Sequence, residues 1–281
     1  MKNSLKREIE MLVREANFSL RKDVLRLLNK AFCVEKNKKA KKALSWILEN
    51  ADIAKRQGLA ICQDTGLPIV FIEVGINKSI SCLCVKKIEQ EISLAYRKNY
   101  LRPFSVSPIG RITPSYEGVI THVDFNPANK GVRVTVFPKG FGSENKSQLK
   151  MFNPTAGLTE IEDFIVESVR RAGPESCPPF VVGVGIGGTS DYALLLAKKA
   201  LLERVDLANK DGLLNGLEKR LLKKINALGI GPMGLGGKCT ALAVKIKTAP
   251  THIAGLPVAI NISCHALRSA TFKLKSVTDE E

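Results

Sequence analysis

The pattern of apolar residues changes near residue 60, and this change limits the possible fold more than any other feature of the sequence. Residues 1–60 carry apolar stripes at helical spacing, of which Leu5, Ile9 and Leu12 form the first. Pro68–Val74 is instead apolar at every position except Glu73, which is typical of a buried strand. The sequence therefore predicts a mixed α/β fold, in which a helical N-terminal portion precedes mixed β-sheets that are covered by helices.

Strand and helix patterns continue along the rest of the chain. Gly118–Phe125 and Gly131–Phe137 alternate in polarity and are spaced like an antiparallel pair. Thr159–Ala172 is predicted to be a helix, with Thr159 as its N-cap and Glu162 completing a capping box. Further strands are predicted at Phe180–Val184, Leu242–Ile246 and Val258–Ile262, and further helices at Ile88–Tyr96, Asp191–Arg204 and Leu213–Leu228.

The composition predicts a globular protein in a reducing compartment. No apolar run approaches the roughly 20 residues that span a bilayer, and the first ten residues lack the apolar segment of a signal peptide. The seven cysteines are an odd number, which disfavours a complete disulfide framework. We therefore expect a cytoplasmic chain with reduced thiols, folded as one domain over residues 1–281, with a helical portion at 1–60 and an α/β core at 61–276.

The formal charge of +16 first suggests a nucleic-acid-binding module. The lysines are, however, spread over segments that resemble amphipathic helices, and no arginine-rich tail, RNA-recognition signature or zinc-finger spacing accompanies them. A positive field also attracts a small dianionic substrate. Nucleic-acid binding is kept as the alternative from a different class, and a partner of that kind is not expected.

Three cysteines stand apart from the rest. Cys62, Cys177 and Cys264 each lie beside an apolar run and a turn-forming residue, 115 and 87 residues apart. Single cysteines from three distant loops can converge on one metal cluster, and three ligands on a four-iron cube leave one iron open for substrate. The remaining cysteines are interpreted as structural, because buried free cysteine behaves as a small hydrophobe: Cys33, Cys82, Cys84 and Cys239.

Three glycine-rich segments are candidate binding loops. Gly183–Ser190 joins a strand to a helix, but no second strand ending in an acidic residue follows, so a dinucleotide site is excluded. Its glycines either present backbone amides to an anion or allow close packing of strand and helix. Gly229–Cys239 has Pro232 and Cys239 where a phosphate-binding P-loop needs glycine and Ser or Thr. The third segment, Pro138–Ser147, gathers more polar groups than a simple turn requires.

Five motifs in order give the chain a family resemblance. They are Cys62-Gln-Asp-Thr-Gly-Leu-Pro, Lys139-Gly-Phe-Gly-Ser-Glu-Asn, Cys177-Pro-Pro followed by Gly185-Ile-Gly-Gly-Thr, Gly231-Pro-Met-Gly-Leu-Gly-Gly-Lys, and His252-Ile-Ala-Gly-Leu-Pro continuing to Cys264. Together they cover nearly the whole chain and resemble class I fumarate hydratase. The resemblance is greatest to the alpha subunit of the two-subunit fumarase and tartrate dehydratase family.

The resemblance implies an oxygen-sensitive [4Fe-4S] cluster, held by Cys62, Cys177 and Cys264, whose fourth iron is open to substrate. Single-chain members of the family carry a catalytic threonine, arginines and a lysine in their C-terminal half. This sequence ends 17 residues beyond Cys264. The resemblance therefore implies a separate beta subunit and a hetero-oligomer. The positions that match substrate contacts of the family are Gln63, Asp64, Arg102, Gly142 and His252.

The chemistry of these residues agrees with the resemblance, although each has a simpler interpretation. Arg102 can clamp a carboxylate with two hydrogen bonds, and Gln63 can donate a neutral one. His252 can donate to a carboxylate or move a proton, or it is a structural histidine. Asp64, the candidate catalytic residue, can accept a proton or orient the substrate, or it forms a turn with the following Thr and Gly.

The chain departs from the family pattern at three places. Phe141 stands where the family generally has a small residue, Arg111–Gly118 lacks a polar run that is typical there, and Ser269 replaces a second arginine after Cys264. These departures bear on the substrate more than on the cluster. The resemblance predicts a hydro-lyase that converts (S)-malate to fumarate reversibly, with dehydration of L-tartrate to oxaloacetate as the alternative and a cluster-free scaffold subunit as a third possibility.

Overall fold

The computed structural model describes residues 2–76 and 78–274. The chain is mixed α/β, and its first three elements are helices, so the predicted fold class is confirmed. The helices are α1 (Lys2–Phe18), α2 (Lys22–Val34), α3 (Lys38–Gln57), α4 (Cys82–Lys98), α5 (Phe141–Glu144), α6 (Leu158–Ala172), α7 (Ser190–Leu202) and α8 (Gly212–Asn226). The strands are β1 (Leu67–Val74), β2 (Ile120–Phe125), β3 (Val132–Lys139), β4 (Gln148–Phe152), β5 (Phe180–Gly188), β6 (Ala241–Thr251), β7 (Leu256–Ser263) and β8 (Ala270–Leu274).

The chain divides into two compact units. The first comprises Met1–Arg21, Ala51–Phe141 and Arg268–Glu281, and the second comprises Lys22–Asn50 and Gly142–Leu267. The assignment of residues 1–281 to one hydro-lyase domain stays a prediction, and its positions 1, 77 and 275–281 lie outside the described residues. Within the described ranges, no helix is long and apolar enough to cross a membrane.

A four-stranded sheet in the order β2-β1-β3-β8 forms the centre of the first unit. Its core contains the buried side chains of Ile9 and Leu12 from α1, Ile88 and Ile92 from α4, and Val70 from β1. Burying an aliphatic side chain of this size contributes about 1.5–3 kcal/mol, so the predicted helical stripe and strand run stabilise each other.

The predicted antiparallel pairing of β2 with β3 is wrong, although both segments are strands. β1 lies between them, pairing in parallel with β2 and antiparallel with β3. Six of the eight β1 residues are buried, and the two that are not are Leu67 and Glu73. A strand buried on both faces takes the central position, whereas the more exposed β2 lies at the edge.

The second unit contains a sheet in the order β4-β7-β5-β6. α7 packs closely on β5 and β7, and α8 packs on β6. A Cβ atom at Gly183 would lie 2.2 Å from the carbonyl oxygen of Ala197, and one at Gly185 would lie 2.1 Å from that of Ala193. These two glycines therefore allow α7 to lie directly on β5, which is the packing interpretation of this glycine-rich segment.

The predicted capping box of α6 is wrong. The N-cap is Gly157, which makes no side-chain cap hydrogen bond, and Thr159 lies within the first turn. Glu162 is buried and binds Arg220 at 3.0 Å and Lys224 at 2.9 Å, both on α8. The Glu162 carboxylate thus pairs with two cations of α8 and does not cap α6, because leaving a buried charge unpaired costs more than leaving a helix without a side-chain cap.

Candidate active site

Cys62, Gln63 and Asp64 lie in the first unit, in the loop between α3 and β1. The Asp64 carboxylate accepts two backbone hydrogen bonds, from the N–H of Gly66 to Oδ1 at 3.0 Å and from the N–H of Phe141 to Oδ2 at 2.8 Å. The first keeps the loop turned, and the second ties it to the glycine-rich segment after β3. Asp64 thus connects two of the predicted motifs, while Gln63 remains exposed and Cys62 partly exposed.

Gly66 explains why this loop needs a glycine. Its φ is +77°, and a Cβ atom there would lie 2.8 Å from the carbonyl carbon of Pro138 and 2.9 Å from the nitrogen of Lys139. A side chain would therefore clash with backbone, in a conformation that L-residues rarely adopt. Glycine lets the loop approach the end of β3 closely enough for the Asp64 contact to form.

Thr65 holds Arg102 beside the same loop. The buried Thr65 hydroxyl accepts a hydrogen bond from the N–H of Arg102 at 3.1 Å, and its carbonyl accepts one from the Tyr96 hydroxyl at 3.2 Å. Burial raises the pKa of Tyr96 well above its ordinary value, so the hydroxyl stays protonated and can donate. The Arg102 side chain is exposed. The loop therefore fixes the backbone of Arg102 and leaves its guanidinium open to a ligand.

Arg268 is a residue of this region that the sequence did not reveal. It is 3% exposed, and its Nη2 donates to the carbonyl oxygen of Asp64 at 2.8 Å. Its position four residues after Cys264 was a possible signal, but the pattern of one arginine in a polar segment does not distinguish a buried side chain from a surface one.

In the second unit, the segments that contain Cys177 and Cys264 meet. Cys177 adopts the left-handed conformation, with φ 54°, at the end of a short 3-10 helix. Its carbonyl oxygen accepts from the backbone N–H of His265 at 3.3 Å and lies 3.0 Å from Nδ1 of the same residue. Because a carbonyl only accepts, this geometry places a proton on Nδ1. His265 follows Cys264 directly, and no motif in the sequence points to it.

Hydrogen bonds within the second unit link Gly142 and its neighbour Glu144 to the segments that carry the same two cysteines. Its carbonyl oxygen accepts a 3.5 Å hydrogen bond from the hydroxyl of Ser176, the residue before Cys177. Two positions beyond Gly142, the Glu144 carboxylate forms an ion pair with Lys198 and accepts from Nδ2 of Asn261 at 2.8 Å. Asn261 is buried on β7, three residues before Cys264. Gly142 and Glu144 are therefore held beside the segments that carry Cys177 and Cys264.

His252 lies in the turn between β6 and β7, and its side chain is exposed. Its Nδ1 accepts from the N–H of Ala254 at 3.1 Å, so a neutral ring carries its proton on Nε2. The hydrogen bonds of the described residues include none between His252 and another predicted site residue. This turn therefore orients the imidazole with its Nε2–H available to a ligand.

The other cysteines occupy varied surroundings. Cys33 and Cys82 are exposed, so the interpretation of both as buried structural cysteines is wrong. Cys82 occupies the first turn of α4, whose buried face begins further along. Cys239 is different, because burial, with a smaller effect of the Glu35 carboxylate, raises its pKa to about 12. Its thiol stays protonated and donates to the carbonyl of Ala241 at 3.5 Å, as expected of a structural cysteine.

The thiols of Cys62, Cys177 and Cys264 fit an iron–sulfur group by their chemistry. All three thiols are partly exposed, and none of the three forms a disulfide. Within residues 2–76 and 78–274, no three His, Cys, Asp or Glu side chains are grouped to hold a single metal ion. A cubane cluster takes a separate thiolate on each iron that the protein holds, so its ligands are not grouped around one ion.

The predicted site residues thus fall into two sets. The first unit brings together Cys62, Gln63, Asp64 and Arg102 through the Cys62–Gly66 loop, and the second unit brings together Gly142, Cys177 and Cys264 through Ser176, Asn261 and His265. His252 lies in the second unit without a described contact to the others.

Comparison with known proteins identifies the family. The family model described as fumarate hydratase (fumerase) matches residues 6–273. A putative L(+)-tartrate dehydratase subunit alpha of Methanocaldococcus jannaschii is 42% identical over 271 residues, covering 94% of this chain and 95% of that protein. The L(+)-tartrate dehydratase subunit alpha of Escherichia coli K12 is 30% identical over 215 residues, covering 75% of this chain and 71% of that protein. The chain belongs to the fumarate hydratase family.

Fumarate hydratases are hydro-lyases, so this membership confirms the predicted class of enzyme. The names of both relatives describe alpha subunits, which are parts of larger enzymes.

Proposed function

We propose that this chain is the cluster-binding alpha subunit of a [4Fe-4S] hydro-lyase that removes water from a four-carbon 2-hydroxy dicarboxylate. The observation that carries the proposal is the pair of backbone hydrogen bonds that the Asp64 carboxylate accepts. They hold the loop of Cys62 and Gln63 against the glycine-rich segment at Phe141. Thr65, next along this loop, holds Arg102. A thiol, an amide and an exposed guanidinium on one rigid set of loops suit a diacid substrate beside a metal group.

Cys62, Cys177 and Cys264 are the proposed ligands of the cluster. When bound, a cluster with one open iron supplies a Lewis acid that helps hydroxide leave from C2. In the second unit, support comes from the contact of His265 with the Cys177 carbonyl, which keeps Cys177 and Cys264 on adjoining segments. In the first unit, support comes from the partial exposure of Cys62 on a loop that Asp64 and Gly66 make rigid.

The protein residues bind and orient the substrate. The exposed Arg102 guanidinium forms a two-point clamp on one carboxylate, and Gln63 donates a neutral hydrogen bond. His252 donates from Nε2 to a carboxylate or moves a proton there. The overall charge of +16 raises the local concentration of a dianion.

Asp64 acts mainly as an orienting residue in this proposal. Each of its carboxylate oxygens already accepts one backbone N–H, which fixes the side chain. A carboxylate oxygen retains a further lone pair, so a proton-accepting role for Asp64 is the competing assignment.

Two substrates are candidates. The fumarate hydratase family model supports (S)-malate and fumarate, and the names of the two relatives support L(+)-tartrate. In either case the remaining catalytic groups are proposed to come from a beta subunit, so the active enzyme is a hetero-oligomer. We also propose that it works in the cytoplasm, where the thiols stay reduced.

The test is anaerobic co-expression of this chain with its beta subunit, followed by iron and sulfide analysis and by assays on (S)-malate, fumarate and L-tartrate. The proposal expects about four irons per alpha chain and turnover of one diacid pair. A pure complex that contains no iron–sulfur group and converts none of the diacids would contradict it.

A further inference from the structure

Arg268 belongs to a buried polar cluster beneath the loop of Cys62, defined by Asn17, Thr65, Tyr96 and Arg268. These four residues are 0%, 5%, 0% and 3% exposed, respectively. The Tyr96 hydroxyl donates to the Thr65 carbonyl, and Arg268 donates to the carbonyl of the preceding residue, Asp64. The cluster therefore supports the loop from inside the first unit.

The hydrogen bonds of Arg268 leave most of its guanidinium unused. Only Nη2 has a partner, at 2.8 Å, whereas Nε and Nη1 are buried without a hydrogen-bond partner among the described residues. Buried polar groups in folded proteins are nearly always paired. Two unpaired nitrogen donors on one buried guanidinium therefore indicate an acceptor that arrives with a ligand.

The charge of Arg268 points to the same conclusion. Arginine stays protonated in proteins, and among the described residues the hydrogen bond of Arg268 goes to a backbone carbonyl and not to a carboxylate. Asp64 offers its backbone carbonyl to Arg268, while its carboxylate binds backbone amides. Tyr96 stays neutral and cannot compensate the charge. A buried cation without a counter-charge is unfavourable, so the missing acceptor should be an anion.

The position of Arg268 identifies the anion. Asp64 follows Cys62 by two residues, and two residues span at most about 7 Å, so a guanidinium on the Asp64 carbonyl lies within about 12 Å of the Cys62 backbone. A dicationic four-iron core with three thiolates carries one net negative charge, which matches the single charge of Arg268. We propose that Arg268 is a positioning residue, whose Nε and Nη1 donate to anionic sulfur of the Cys62-bound cluster while Nη2 holds Asp64.

This inference rests on the proposed function, and its consequence is that the state of the cluster and the geometry of the Asp64 loop depend on one side chain. Hydrogen bonds to sulfur and nearby charge set the reduction potential of an iron–sulfur cluster. Arg268 should therefore raise that potential without contacting the substrate.

The first experiment compares Arg268→Met, Arg268→Lys and the control Arg133→Met in the cofactor-free complex. Arg133 is an arginine of the same unit that is paired, since its Nε donates to Glu73 at 2.6 Å. Replacing an uncompensated buried charge by an apolar side chain of similar size removes its desolvation penalty. We expect Arg268→Met to melt at or above the wild-type temperature. A large fall in melting temperature, greater than that of Arg133→Met, would show a merely structural arginine and overturn the inference.

The second experiment uses the anaerobically loaded complex. Arg268→Met should lower the reduction potential of the cluster and speed the loss of iron to a chelator. Arg268→Lys keeps the charge but loses the planar guanidinium, so its potential and rate of iron loss should lie between those of Arg268→Met and the wild type. Arg133→Met should match the wild type in both. KM for the diacid should not change. A raised KM with an unchanged potential would assign the anion to a substrate carboxylate instead. Wild-type complex without iron refutes the proposed function itself, whereas iron-loaded wild type with unaltered Arg268 variants refutes this inference alone.

Discussion

The two amide contacts of Asp64 give a prediction that separates an orienting residue from a general base. Asp64→Ala removes both acceptors, so the N–H groups of Gly66 and Phe141 lose their partners. A hydrogen bond to a charged group contributes about 1.5–3 kcal/mol. Asp64 is only partly buried, and water replaces part of the loss. The two hydrogen bonds sum to about 3–6 kcal/mol, and with water replacing part of the loss we expect the loop to be destabilised by about 2–3 kcal/mol, at or below the lower end of that sum.

Hydrogen exchange measures this change where it occurs. A local loss of about 2–3 kcal/mol speeds amide exchange by roughly 30- to 150-fold, and the increase should be confined to the peptides that contain Gly66 and Phe141. Asp64→Asn keeps one acceptor oxygen and places an NH₂ donor against the other amide, so about half of this destabilisation remains. A global denaturation curve is less suitable, because a chain of two units need not unfold in one step.

Asp211 provides a matched control for Asp64. Its carboxylate also accepts two backbone amides, those of Leu213 at 2.8 Å and Leu214 at 3.2 Å, at the N-terminus of α8. Asp211→Ala should cost about 0.5–2 kcal/mol at that helix end and leave iron content, turnover and exchange at Gly66 unchanged. If Asp64→Ala and Asp64→Asn abolish turnover while exchange at Gly66 and Phe141 stays at the wild-type rate, the orienting role is refuted in favour of the base.

The remaining predictions concern the cluster and the partner. Cys62→Ser, Cys177→Ser or Cys264→Ser should remove iron from anaerobic protein, whereas Cys239→Ser should keep a full cluster. Iron analysis measures this, and a full cluster in any of the first three variants would contradict the ligand set. Air should give a three-iron EPR signal, which ferrous iron and reductant reverse, because the iron without a protein ligand leaves first. The alpha chain alone should not turn over diacids, since half of a catalytic site cannot hold productive geometry, and robust turnover by the isolated chain contradicts the need for a partner. In the complex, Arg102→Ala should raise KM, measured by steady-state kinetics, by about 10- to 100-fold if it removes a charged two-point clamp of about 1.5–3 kcal/mol.

The fold could be predicted where a pattern is local. The helical stripe of α1 and the apolar run of β1 are periodic signals within single elements, and both were identified correctly. The pairing of β2 with β3 was not, because strand order depends on which strand the helices bury, and β1 is separated from both by many residues. The cap of α6 failed for a similar reason: α8, more than 50 residues away, binds Glu162.

The candidate site could be predicted where residues belong to recognisable motifs. Gln63, Asp64 and Gly142 are predicted as site residues because their neighbours form motifs, but Thr65, Arg268 and His265 make contacts that no local pattern encodes. Arg268 binds a carbonyl 204 positions away. Residues that support a site from behind are therefore the ones that single-sequence reasoning misses.

The contact between Asp64 and residue 141 also explains how the glycine-rich segment can vary without losing its position. Phe141 stands where a small residue is expected, but it binds the Asp64 carboxylate through its backbone N–H. The ring itself is 46% exposed, so its size does not determine whether the hydrogen bond forms. The geometry of the loop is thus set by backbone, and the side chain at 141 is free to shape what the loop faces. The segment can in this way keep its contact with Asp64 while the side chain at 141 differs, in a chain that matches both the fumarate hydratase family model and relatives named L(+)-tartrate dehydratase.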